Sequence, residues 1–275
     1  MDLKLSDKRA IITGGSAGIG LSCAEVLVKE GARVVIAARD ADRLNSAVTH
    51  LNQMRDDRSH DHSSVDKGTN RAFGISADIT RVEDIKKVVQ FAAKTLGGID
   101  ILINNAGSAV GGVFADLADG AFLDAWQLKL LGYIRMVQAV LPYMKQQRDG
   151  RVVNIIGGAA RNPSATFLPG GTANAAILNF TRGLAPELAR SGIRMNAISP
   201  GGTATERAKR LAAQAAKDQG ISVEKLQEKQ NSTIPIGRLV NPTEIGWMAA
   251  FLSSDLAAST VGAEVVIDGG SSRSL

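Results

Sequence analysis

The sequence predicts an α/β fold, a doubly wound parallel sheet with helices on both faces, and three observations predict it. Short apolar runs rich in β-branched residues recur along the chain, longer segments of helical period separate them, and the first run enters the first helical segment through a turn holding four glycines. Parallel strands need crossover connections, and right-handed crossovers return each helix to the sheet. With 275 residues, 44% hydrophobic and 21% charged, the chain can bury one large core. No change of composition divides it, so a single domain over 1–275 is expected.

The first strand is expected at 10–13, and Thr13-Gly14-Gly15-Ser16-Ala17-Gly18-Ile19-Gly20 carries it into a helix over 18–30. Glycines let such a turn run tightly and approach a pyrophosphate, while the helix N-terminus offers unpaired N–H groups to the anion. A strand over 33–37 follows and ends at Ala38 and Arg39. An acidic residue at this place would hold the ribose hydroxyls of NAD. With alanine there and a guanidinium beside it, a 2′-phosphate is accommodated, so NADP(H) is favoured over NAD(H); the alternative for Arg39 is a solvated strand end.

The polar stretch 55–70, RDDRSHDHSSVDKGTN, reads as an exposed insertion. His60, Asp61 and His62 are neighbours in a loop and lack the convergence a metal needs, so no metal is assigned. Beyond it, strands are expected at 72–75, 99–103, 152–156, 194–198 and 264–267, alternating with helices over 82–96, 121–145, 174–190 and 242–252. The segment 201–234 holds two charged helical patterns after a Pro-Gly turn, at the place of a lid over a bound ligand; a surface helical hairpin is the alternative.

Composition excludes other classes. The formal net charge of +5 comes from basic residues interspersed with acidic ones, and aromatics are only 4%, too few for a base-stacking platform, so nucleic acid is not an expected partner. The one cysteine, Cys23, permits neither a disulfide framework nor a cysteine metal site. The first residues lack the apolar core of a signal peptide and no apolar run reaches bilayer-spanning length, so a cytoplasmic location without a membrane partner is expected.

The glycine turn is joined by Ala77-Asp78-Ile79-Thr80, by Asn104-Asn105-Ala106-Gly107, by Ser199-Pro200-Gly201-Gly202-Thr203-Ala204-Thr205 and by Val266-Ile267-Asp268-Gly269-Gly270. In this order the motifs resemble those of the short-chain dehydrogenase/reductase family over nearly the whole chain apart from the polar insertion. The resemblance implies a Rossmann-type fold and a role for Gly14, Ser16, Gly18, Ile19 and Gly20 at the pyrophosphate. It further implies that Asp78 and Ile79 flank the adenine, that Asn105, Ala106 and Gly107 line the central groove, and that Pro200, Gly201 and Thr205 border the nicotinamide. Asn105 and Asp268 have an alternative reading as braces of loops and strands.

The resemblance breaks at the chemistry. The family carries a serine after its fifth strand and, further on, a tyrosine followed one helical turn later by a lysine. Here those places fall on Gly157, Gly170 and Asn174, and the chain's two tyrosines, Tyr133 and Tyr143, lie in the preceding helix. The family's catalytic asparagine aligns with Lys129, so lysine and asparagine look exchanged. Lys129 then anchors the ribose, orients a water or donates the proton, with Asn174 opposite; the alternative is a lysine that ends in solvent or pairs with an acid. Asn154, Arg161, Ser164, Thr166 and Thr172 stand near the vacated place, Thr172 reading as a helix cap, and Gly170 and Gly171 as open volume or a simple turn.

Three readings follow: an NADP-linked oxidoreductase acting on a carbonyl/hydroxyl or imine substrate with an unusual proton donor, a catalytically inactive nucleotide-binding or regulatory subunit, and a non-redox enzyme that reuses the pocket. The first is preferred because the glycine turn and Arg39 are retained. The resemblance implies a homodimer or homotetramer built on the helices over 121–145 and 174–190. A hetero-oligomer with an active relative is the other assembly that would accommodate the lost residues.

Overall fold

The computed structural model describes residues 2–54 and 70–272; His60, Asp61 and His62 lie outside them. Its strands are β1 (Arg9–Thr13), β2 (Arg33–Ala38), β3 (Ala72–Ser76), β4 (Ile101–Asn104), β5 (Gly150–Ile155), β6 (Ile193–Pro200) and β7 (Glu264–Ile267). All pair in parallel in the order β3-β2-β1-β4-β5-β6-β7. The order reverses between β1 and β4, and a crevice opens beyond the carboxyl ends of strands at such a point.

Helices α1 (Gly18–Lys29), α2 (Ala41–Gln53), α3 (Val82–Leu96), α4 (Asp119–Ala125), α5 (Gly132–Gln147), α6 (Leu168–Ala189), α7 (Glu206–Asp218), α8 (Val223–Asn231) and α9 (Pro242–Ser253) complete the described residues. Successive strand residues face opposite sides, so the sheet supplies two cores. Ile12, Ile36 and Ile103 pack with Leu27 of α1 and Ile245 of α9. Ile11, Val35 and Leu102 pack with Val88 of α3 and Met136 of α5. This two-sided burial is why the strands read as continuous apolar runs.

Two helical expectations change. The single helix expected over 121–145 is broken by a π-helical segment, Trp126–Leu131, between α4 and α5. Hydrophobic periodicity does not register one widened turn, which is often a mark of function. The helix expected from 174 begins at Leu168, so Gly170, Gly171 and Thr172 lie inside α6. Pro169 has the fixed φ that suits a first helical turn, whereas paired glycines read as a turn because each disfavours a helix by about 1 kcal/mol relative to alanine. Thr172 is therefore not a cap: its Oγ1 donates to Leu168 O at 2.9 Å and accepts from Trp126 Nε1 at 2.9 Å, tying the π segment to α6.

Candidate active site

At the reversal point the backbone of β1 and the loop after β4 are bound to each other. Thr13 Oγ1 accepts from the N–H groups of Asn105 and Ala106, and Asn105 Nδ2 donates to Thr13 O and Gly14 O at 3.1 and 3.2 Å. Asn105 is thus a brace as well as a wall of the groove. Gly20 packs beneath it, where a Cβ would stand 2.3 Å from Gly14 O; that close approach, not contact with a ligand, is what its position demands. Gly18 has φ +56, and a Cβ there would face Thr205 Cγ2 at 3.3 Å. The N-cap of α1, Ala17, gives no side-chain bond, and the first turn holds no acidic residue. Its N–H groups and positive dipole end therefore stay open to an anion.

A groove of about 1050 Å³ runs from this turn across the ends of β4, β5 and β6. Gly14, Ser16, Gly18, Ile19, Asn105, Ala106, Gly107, Pro200, Gly201 and Thr205 line it, as the sequence predicts. Gly20, Arg39, Asp78 and Ile79 do not. Arg39 is exposed at the end of β2. Asp78 is engaged locally, its carboxylate accepting from Thr80 N, and Ile79 is 4% exposed, packed on Gly132 of α5. Arg43, which the sequence reading passed over, does line the groove and pairs with Asp40 at 3.4 Å. It follows Arg39 by one helical turn, the signal that would have found it. Asp268 is a brace, its carboxylate accepting from the N–H groups of Gly270 and Ser272.

The π segment sends Lys129 between the ends of β4 and β5. Its Cδ would lie 3.2 Å from a Cβ at Gly107, and its Nζ donates to Ile156 O at 2.6 Å. The side chain keeps some solvent contact along the open groove, but the protein around it strips water from the ammonium. That desolvation, helped by the nearby charge of Arg207, pushes its pKa down to about 7.

Asn174 of α6 lines the same groove and is 2% exposed. Among the described residues its Oδ1 has no hydrogen-bond partner, and its Nδ2 lies 2.9 Å from where a Cβ on Gly157 would stand. An orphaned buried acceptor is normally paired, so this one fits a hydroxyl donated by a ligand in the groove. A serine at 157 would crowd it, which relates the glycine there to the asparagine.

The space expected to be open at Gly170 is filled. A Cβ at 170 would stand 2.2 Å from Phe167 Cζ and 2.3 Å from Cε1, because the Phe167 ring folds across it and lines the groove. The remaining polar candidates are engaged elsewhere. Asn154 donates to Thr181 Oγ1 beneath the groove, Arg161 binds Glu264 at 2.5 Å, and Ser164 and Thr166 bond each other on the surface. Among the described residues no cluster of metal ligands occurs, and no helix is long and apolar enough to cross a membrane.

Comparison with known proteins matches residues 8–216 to a family model described as short chain dehydrogenase. Oxidoreductase UcpA of Salmonella typhimurium is 35% identical over 271 residues, covering 98% of this chain and 95% of the relative. L-sorbose reductase of Gluconobacter frateurii, solved with NADPH and L-sorbose, superposes with a TM-score of 0.91 at 30% identity over 100% of both chains. An NADPH-bound short chain oxidoreductase of Pseudomonas aeruginosa PAO1, described as containing an atypical catalytic center, has a TM-score of 0.83 at 32% identity over 97% of each chain.

Proposed function

The chain belongs to the short-chain dehydrogenase family, and we propose that within it the protein is an NADP(H)-dependent oxidoreductase that interconverts a carbonyl or imine compound with its reduced form, Lys129 handling the proton. The observation that carries this reading is the meeting, in one groove, of an open anion cradle, the Lys129 ammonium and the unpaired Asn174 amide oxygen. NADPH in the similar L-sorbose reductase and P. aeruginosa structures supports the cofactor, and the atypical center of the latter supports a member with different chemistry.

Gly14, Ser16, Gly18 and Ile19, with the α1 N-terminus, would hold the pyrophosphate, and Thr205, expected at the nicotinamide, stands instead toward Gly18 of this turn. Arg43, with Arg39 exposed at the end of β2, would hold the 2′-phosphate, and Asp78 and Ile79, outside the groove itself, would flank the adenine end. Asn105, Ala106, Gly107, Pro200 and Gly201 would border the nicotinamide half, and Asn174 Oδ1 would accept from a ribose hydroxyl. When bound, the nicotinamide supplies the hydride. Lys129 delivers the proton to the substrate's oxygen or nitrogen in reduction and accepts it in oxidation. With its pKa near 7, the ammonium and the free amine are both populated at neutral pH, the condition for efficient general acid-base work.

A homodimer or homotetramer is the proposed assembly, as membership of the family implies, built on the helical stretches 121–145 and 174–190, where Leu123 of α4 leaves a large apolar side chain exposed. The test of function is calorimetric titration with NADPH and NADH, followed by nicotinamide absorbance against carbonyl and imine compounds. Tighter binding of NADPH with turnover is expected. Binding without turnover would make the chain a nucleotide-binding subunit, and turnover without nicotinamide oxidation a non-redox enzyme.

A further inference from the structure

Phe167 reaches the groove from an unexpected direction. It precedes α6, and its backbone is fixed on both sides: its N–H donates to Ser164 O at 3.0 Å and its carbonyl accepts from Gly171 N at 2.9 Å. The neighbouring Thr166 O accepts from Gly112 N at 2.9 Å, which ties this corner to the loop after β4. The ring lies against that loop, 3.6 Å from the position a Cβ would take on Gly111. Its far edge, Cζ and Cε1, occupies the volume that any side chain at 170 would enter, and Ala109 Cβ is 3.1 Å from that point. Phe167 and Gly170 are therefore one unit: with the ring in place no Cβ fits at 170, and without it the corner is hollow.

The contents of this corner are apolar. Besides the ring it presents Gly157, Gly158 and Ala159, the last in van der Waals reach of a Cβ on Gly171. The hydrogen-bonding groups stand at its Gly157 end, Asn174 beside Gly157 and Lys129 anchored to Ile156 O. A substrate placed here meets an aromatic wall on one side and its polar partners on the other. Hydroxyl groups pressed on the ring would lose water and gain no partner. A flat apolar group gains both buried area and the ring's edge or face.

We infer that Phe167 sets substrate choice, holding the apolar and preferably aromatic flank of a ketone or imine so that its polar end turns toward Lys129; the substrate class is an apolar-flanked carbonyl or imine compound, not a polyhydroxylated one. This rests on the reading of the groove as a redox site.

The experiment loads the protein with NADP⁺, so that no turnover intervenes, and titrates acetophenone and dihydroxyacetone calorimetrically. Acetophenone is expected to bind at least about tenfold more tightly, the scale of one aromatic contact with its buried area. Phe167→Ala should erase about tenfold of that preference while NADP⁺ affinity stays unchanged, and Phe167→Leu, which keeps bulk, should lie between. Equal binding of the two ketones, or an unchanged preference in Phe167→Ala, overturns the inference. Gly170→Ala supplies a second arm: alone it should lower both Tm and acetophenone affinity, and Phe167→Ala added to it should recover Tm. A Gly170→Ala protein with native Tm and native acetophenone binding removes the ring from its assigned place. Failure of NADP⁺ to bind would sink the redox reading separately, and the same ketone ratio, read on the cofactor-free protein, still decides the role of Phe167.

Discussion

At the scale of single residues the proposed chemistry turns on Lys129. Its pKa is about 7 in the folded protein, while a lysine free of burial titrates near 10.5. Between those values the unfolded chain holds a proton that the folded chain has released, so stability rises with pH across the window and the burial penalty is fully present below pH 7. Lys129→Met should therefore have a higher Tm than the native protein at pH 6, with the gain fading by pH 10; a gain independent of pH would show the ammonium to be well solvated. Reduction requires the protonated form, so its rate should fall above about pH 7. The same variant should lose about a hundredfold to ten-thousandfold in rate together with that limb of the profile. That Lys129 and Asn174 share one groove was legible because both sit in well-registered motifs. Phe167 was not, since reading by register asks what stands at position 170 and not what reaches across it.

Elements determine whether these residues stay in place. The turn after β5, which carries Gly157 and Gly158, is held from behind by Glu264 of β7. That carboxylate is 1% exposed and accepts from Arg161 at 2.5 Å, Arg182 at 3.3 Å and Ser199 Oγ at 2.7 Å. Glu264→Gln removes the charge and keeps the shape. Because Arg161 and Arg182 are partly exposed and can rehydrate, the loss should be about 2 kcal/mol, the scale of charged hydrogen bonds, and not that of a stranded buried charge. Denaturant unfolding measures it, and a rise in KM with NADPH affinity held would trace the effect to the turn. An unchanged midpoint would leave Glu264 without a structural share. Most elements were legible because strands buried on both faces are apolar throughout and the amphipathic helix α3 announces its ends. The π segment and the start of α6 were not. One depends on a widened turn without a compositional mark, the other on two glycines at the start of α6, Gly170 against the Phe167 ring and Gly171 against Ala159.

At the scale of the whole molecule, the two large cores flank the sheet, while α7 and α8 pack mainly on a small cluster of their own, Ala212, Ala216 and Leu226. Among the described residues the ties of this segment to the body include Arg207, which donates to Gly107 O at 3.4 Å, and backbone bonds of the flanking chain, Ala204 N to Val240 O at 2.9 Å and Ile236 N to Gly269 O at 3.2 Å. A unit with only a small core of its own opens at lower free energy than the sheet does. Arg207 and Arg210 on α7 line the groove, so an anionic cofactor gives this unit a second reason to stay closed. Hydrogen exchange separates a lid from a rigid hairpin. Without cofactor the α7 and α8 amides should exchange much faster than those of β5. At NADPH one hundred times its Kd, amides of β5 that open only by global unfolding should slow about a hundredfold, the equivalent of about 2.7 kcal/mol. Those of α7 should slow as well if opening the lid releases the cofactor. Protection of α7 equal to that of β5 before NADPH is added would make the pair part of the main body, and the groove would then owe its closure to the sheet alone.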